Sequence, residues 1–143
     1  MVGLHIAVGV CVIALNLAAG AVGGLAWLRR QPSIPFWYLL RAAQASVFAQ
    51  ALVGGLLLAT GHTQDEGLHL LYGLLPLGVS FVAEGARAGA AQREVGDLDV
   101  ESLSPEAQQE LALRVVRHEM GVMTVSCWVI FFLALRAALT SGL

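Results

Sequence analysis

Long apolar runs separated by three polar interruptions dominate the chain. The runs cover about residues 2–28, 36–60, 68–90 and 120–140. Each is close to the roughly 20 apolar residues needed to cross a hydrocarbon core. The first interruption, "RRQPSIP", holds two prolines, which stop helices and favour a turn. The second, "GHTQDEG", is a polar turn bracketed by glycine. The third is longer, about residues 91–119, and contains the acidic stretch "EVGDLDVESLSPE". This pattern predicts one all-α integral membrane domain over residues 1–143, a four-transmembrane-helix antiparallel bundle with a helical loop extension. Within the third interruption, Ser104-Pro105-Glu106 reads as a helix start: a serine cap, proline at the first position, then an acid that suits the helix dipole. Ala107, Leu111, Val115, His118 and Val122 follow at helical spacing. The fourth helix is therefore expected to begin outside the bilayer as an amphipathic segment, continuous or bent near Gly121. The third is expected to run on through Ala91 to Val95.

Polar positions within the runs define faces. At 100° per residue, His69, Tyr72, Gly73, Pro76, Ser80, Glu84 and Arg87 fall on one side of the third helix. Hydrocarbon offers no hydrogen-bond partner, so this side is expected to point into the bundle. Pro76 belongs there too, because its missing N–H leaves a carbonyl to be satisfied internally, with Tyr72 or Ser80 at hand. In the first helix His5, Gly9, Val12, Asn16, Ala19, Gly20, Gly23 and Trp27 make a matching face of mostly small or polar residues. In the fourth, His118, Gly121, Val122, Val125, Val129 and Arg136 align. The second is less ordered, with Arg41 and Gln44 on one side and Ser46 and Gln50 nearly opposite.

Composition supports the membrane assignment. Of 143 residues, 57% are hydrophobic and 13% charged, with a mean hydropathy of +0.74. Soluble domains are about half apolar and a quarter charged. A net charge of -2 gives no footing for nucleic-acid binding. All 8 basic side chains are arginine, as a GC-rich bacterial genome would give. Arg29, Arg30 and Arg41 flank the first interruption, and Arg87, Arg93, Arg114 and Arg117 the third; only Arg136 lies near the opposite side. By the positive-inside rule, both termini are expected on the extracytoplasmic side of the cell membrane and the long loop in the cytoplasm. Trp27, Trp37 and Tyr38 cluster where interfacial aromatics belong. The N-terminal run lacks a preceding basic region and does not read as a cleavable signal. Cys11 and Cys127 fall at different depths and are expected to be inert, buried thiols.

Candidate chemistry is confined to two layers. Antiparallel packing puts His5, His69 and Arg136 near the extracytoplasmic boundary, with His62 in the adjacent turn. In an up-and-down bundle the first and third helices are diagonal, so His5 and His69 can face each other across the centre. Histidine is a common axial ligand of haem iron. The expected site has His5 and His69 as ligands, with His62 in reserve. Gly9 and Gly73 would make room for the ring, with Tyr72 beside it, and Arg136 would pair with a propionate. The arrangement is similar in outline to b-type membrane cytochromes, a likeness of architecture and not of motif. A zinc or copper site from His5, His62 and His69 with Asp65 or Glu66 is the competing metal reading. A cofactor-free accessory subunit of a homo-oligomer or larger membrane complex is the competing class. At the cytoplasmic end Arg41, Glu84, Arg87, His118 and Glu119, with Arg117 near, form a charge layer expected to fix helix register. The bundle's middle offers only Asn16, Gln50 and Ser80, too few for a proton relay. No GxSxG, P-loop, HExxH or CxxCH motif is present.

Overall fold

The computed structural model describes residues 2–61 and 67–140. Four helices, α1 (Val2–Leu28), α2 (Ile34–Ala59), α3 (Gly67–Val95) and α4 (Pro105–Thr140), follow one another, with a 3₁₀ turn at Val100–Ser102. All four are long and apolar enough to cross a membrane. The chain is thus a small multi-pass membrane protein built as an all-α four-helix bundle.

Local chemistry sets the helix ends. Ser33 caps α2 by accepting from the Phe36 N–H, and Ser104 caps α4 by accepting from the Ala107 N–H. Arg30, Gly61 and Gly96 take left-handed backbone conformations just past the ends of α1, α2 and α3. There the Gln31 N–H returns to the Ala26 carbonyl and the Gly96 N–H to the Gln92 carbonyl. α4 runs unbroken through Gly121 for 36 residues, roughly 54 Å at 1.5 Å per residue. That exceeds a hydrocarbon core of about 30 Å, so its first half projects beyond the bundle beside the extended end of α3.

α1 packs against α2 and α4, and α3 against α4 and, more lightly, α2. α1 and α3 are therefore diagonal, as the antiparallel reading requires. Close approach of α1 to α4 is reciprocal. A side chain at Gly20 would meet the Trp128 indole, and one at Gly121 would meet the Trp27 indole. Gly23 is tighter still, lying against both Thr124 and the Phe36 ring. Around this contact Phe36, Leu40, Met120, Met123 and Cys127 form a closed core. Further along, the core thins to Val12, Val47 and Ile130. One end of the bundle is thus densely packed and the other is loose.

The inward faces of α1 and α3 coincide with those read from sequence: Val12, Asn16, Ala19, Gly20 and Gly23 are buried, as are Pro76 and Ser80. The face expected on α4 does not. Val125, Val129 and Arg136 are exposed, while Met123, Thr124, Ser126, Cys127 and Ile130 are buried. α4 packs against two neighbours, so a broad arc of small and apolar residues turns inward. Arg136 is exposed near the helix end, where its long side chain can reach water. Cys11 and Cys127 are both free; Cys127 is buried as expected, whereas Cys11 is exposed, because it lies off the buried face of α1.

Candidate functional site

At the loose end, a cavity of about 670 Å³ lies among the four helices. His5 and Gly9 of α1, Gln50 and Gly54 of α2, and His69, Tyr72 and Gly73 of α3 line it. α4 contributes only Ala134, Ala137 and Ala138. A volume of this order is typical of small-molecule sites. The two imidazoles come from diagonal helices, with ring centres 6.0 Å apart and planes inclined by 62°.

Each imidazole spends one nitrogen on the protein. His69 Nδ1 lies 3.1 Å from the Ala137 carbonyl oxygen. A carbonyl can only accept, so His69 carries its proton on Nδ1, and Nε2 keeps its lone pair. His5 Nε2 lies 3.2 Å from the Gln50 amide. His5 Nδ1 and Gln50 Oε1 are buried and have no hydrogen-bond partner.

Two glycines make the His5–Gln50 contact possible. A Cβ at Gly9, one turn from His5, would lie 3.1 Å from the Gln50 amide nitrogen. A Cβ at Gly54, one turn from Gln50, would lie 3.2 Å from His5 Cε1. Each helix thus seats the polar side chain of the other on a glycine. Gly73 differs: a Cβ there meets nothing within 4 Å, so its face is open space.

The sequence-predicted site is brought together in part. His5, His69, Tyr72, Gly9 and Gly73 share the cavity. Arg136 is exposed and is not among the cavity-lining residues. The reserve ligand His62 and the acids Asp65 and Glu66 lie outside the described residues. Among the described residues no three His, Cys, Asp or Glu side chains gather closely enough to hold a metal ion. Gln50 was not expected in the site. The signal that points to it is the paired spacing His5-x3-Gly9 and Gln50-x3-Gly54 on adjacent antiparallel helices.

The opposite end carries the charge layer. Glu84 accepts from Arg41 at 2.7 Å, Gln44 at 2.8 Å and Arg87 at 2.8 Å. Arg87 also reaches Glu119 at 3.2 Å. Two guanidiniums and two carboxylates thus close a neutral network joining α2, α3 and α4. His118 lies apart from it, 2.9 Å from Glu94 in the projecting segment, where Arg114 also approaches Glu94. In the middle, the Asn16 amide donates to the Val12 carbonyl of its own helix, and the Ser80 hydroxyl to the Pro76 carbonyl. Both contacts are local, so no polar chain links the two ends through them.

No protein-family model matches the chain, and no curated protein or solved structure is significantly similar to it. Its function has to be argued from the cavity.

Proposed function

We propose that the chain is a small b-type cytochrome-like protein of the cell membrane, holding one haem between His5 and His69. The observation that carries this is the pair of imidazoles from diagonal helices, 6.0 Å apart in one cavity. His5 and His69 would each hold the haem iron through an imidazole nitrogen. A zinc ion takes three or four protein ligands, and the further candidates for one, His62, Asp65 and Glu66, lie outside the described residues. A porphyrin brings four nitrogens of its own and asks only for axial ligands. The glycine and alanine walls suit a flat ring, and Tyr72 stands beside it.

When bound, the haem would supply one-electron chemistry, the exchange between ferric and ferrous iron. The protein's contribution is to hold and orient the two imidazoles and keep the ring in an apolar setting. Arg136 is exposed and is not among the cavity-lining residues, so no propionate is assigned to it. The arginines favour an orientation with both termini extracytoplasmic; in it the haem would lie near that side and the charge layer near the cytoplasm.

A second reading draws on the His69–Ala137 hydrogen bond, which gives that imidazole a partner without any cofactor. In it the protein is an accessory subunit, holding a second copy or a larger membrane complex. The visible spectrum of protein expressed with ample haem separates the two. A Soret band lost in both His5→Ala and His69→Ala supports haem binding. Colourless, folded wild-type protein overturns it and leaves the accessory reading.

A further inference from the structure

We infer that the cavity is entered from the side: haem reaches it from the hydrocarbon of the bilayer, through an opening between α2 and α3, and not from water. The inference rests on the haem-binding reading and adds where the ring comes from; the opening itself is testable without haem. It starts from uneven helix packing. α1 lies closely against α2 and α4, and α3 against α4, but α2 and α3 meet only lightly. Their side-chain hydrogen bonds and ring contact among the described residues are Arg41–Glu84, Gln44–Glu84 and Phe48–Phe81. All three lie between the charged end and the middle of the bundle. Toward the histidine end, a Cβ at Gly55 of α2 or Gly73 of α3 would meet nothing within 4 Å, and both glycines line the cavity.

The opening has an apolar rim. The exposed lining residues of α2 and α3 are Gly55, Leu58, Gly67, Leu70 and Leu74, none with a polar side chain. Gln50, His69 and Tyr72, which also line the cavity, are less exposed. Leu58, Leu70 and Leu74 border the cavity while 48%, 46% and 50% exposed, so they face the interior and the surroundings at once. Leucine left bare to water is costly, whereas acyl chains are as apolar as leucine and cover it freely. Gly55 and Gly73 lie four and six residues inside the ends of their helices, about 6 and 9 Å deep at 1.5 Å per residue. The opening is therefore level with hydrocarbon. A flat, mostly apolar ring passes such a rim without any polar group losing a hydrogen-bond partner.

The test has two arms, both on Cys11→Ala protein in phosphatidylcholine vesicles; Cys127 is buried and stays. The first needs no haem. A nitroxide on Gly73→Cys should be relaxed more by oxygen, which concentrates in lipid, than by a water-soluble nickel chelate. Chelate access equal to that of oxygen, or exclusion of both, overturns the inference. In the second arm, Gly55→Cys and Gly73→Cys are bridged by a cleavable linker between the two thiols. The bridge should stop haem uptake from haem-bearing donor vesicles, read by the Soret absorbance, and cleavage should restore it. Uptake that the bridge leaves unchanged overturns the lateral route. If the bridged protein does not fold, the nitroxide decides. A wild type with no Soret band sinks haem binding, and the nitroxide still decides whether the opening faces lipid.

Discussion

Substituting Gly23 by alanine tests the packing on which every placement above depends. A Cβ at this position would overlap Thr124 Oγ1 and stand 2.5 and 2.6 Å from two carbons of the Phe36 ring. Carbon atoms pack at about 3.5–4.0 Å, so the neighbours must yield by roughly 1 Å. They have little freedom to do so, since Phe36 is 0% and Thr124 3% exposed. Overpacking of this kind typically costs about 1–3 kcal/mol. Against it stands the helix preference of alanine over glycine, about 0.5–1 kcal/mol. The expected net effect is a loss of about 1–2 kcal/mol. Gly55 is the control, because a Cβ there meets nothing within 4 Å. Gly55→Ala should be neutral or stabilise by up to about 1 kcal/mol. The assay is reversible unfolding in mixed detergent micelles, followed by helical circular dichroism. Thr124→Ala in the Gly23→Ala background should recover part of the loss, because it removes one of the two overlapping groups. If Gly23→Ala and Gly55→Ala unfold together, α1 does not approach α4 and α2 this closely, and the reasoning fails.

The cavity and the charge layer give further tests. Gly73→Phe should place its ring in open space within the cavity and abolish haem uptake with helicity unchanged, whereas Gly73→Ala should leave uptake intact; titration of haem against the Soret absorbance reads both. Arg136→Ala should retain the wild-type spectrum, since that side chain faces outward; a spectrum as disturbed as that of His69→Ala would show that Arg136 acts at the site. Glu84→Gln should destabilise the fold by about 1–2 kcal/mol in the same unfolding assay, because charge-assisted hydrogen bonds contribute about 1.5–3 kcal/mol and the half-exposed Arg41 partner counts for little. An unchanged midpoint for Glu84→Gln would mean that the network does not tie α2 to α3.

How much of this could be read in the sequence depended on how many neighbours each helix meets. α3 carries polar groups at one helical spacing, and His69, Tyr72, Pro76, Ser80, Glu84 and Arg87 all turn toward the bundle. The α1 face was legible for the same reason, being small on one side and large on the others. α2 looked disordered because its polar groups serve two neighbours: Arg41 and Gln44 meet Glu84 of α3, while Gln50 meets His5 of α1. Periodicity alone has no means of separating these. α4 misled because its buried arc is apolar, and the one charged residue in its far half, Arg136, was read as inward. Spacing and depth put Arg41 and Glu84 in one charge layer, and there they pair. The Glu94 partner of His118 did not, because it depends on how the projecting ends of α3 and α4 align.

The contrast between the two ends bears on whether the cavity is there for a ligand. At the charged end, α2 and α3 are held by Glu84 bridging Arg41, Gln44 and Arg87, beside a core of Phe36, Leu40, Met120 and Met123. At the histidine end the same two helices keep glycine at 54, 55 and 73, facing alanine at 134, 137 and 138 of α4. Larger apolar side chains would fill that space and recover the packing a void forfeits. Two buried polar atoms there, His5 Nδ1 and Gln50 Oε1, have no hydrogen-bond partner, as has Thr124 Oγ1 in the packed core. A void and unsatisfied polar atoms each lower stability, and an apolar replacement would remove both costs. A ligand that fills the void would remove its packing cost, and the haem titration against the Soret absorbance tests whether one does.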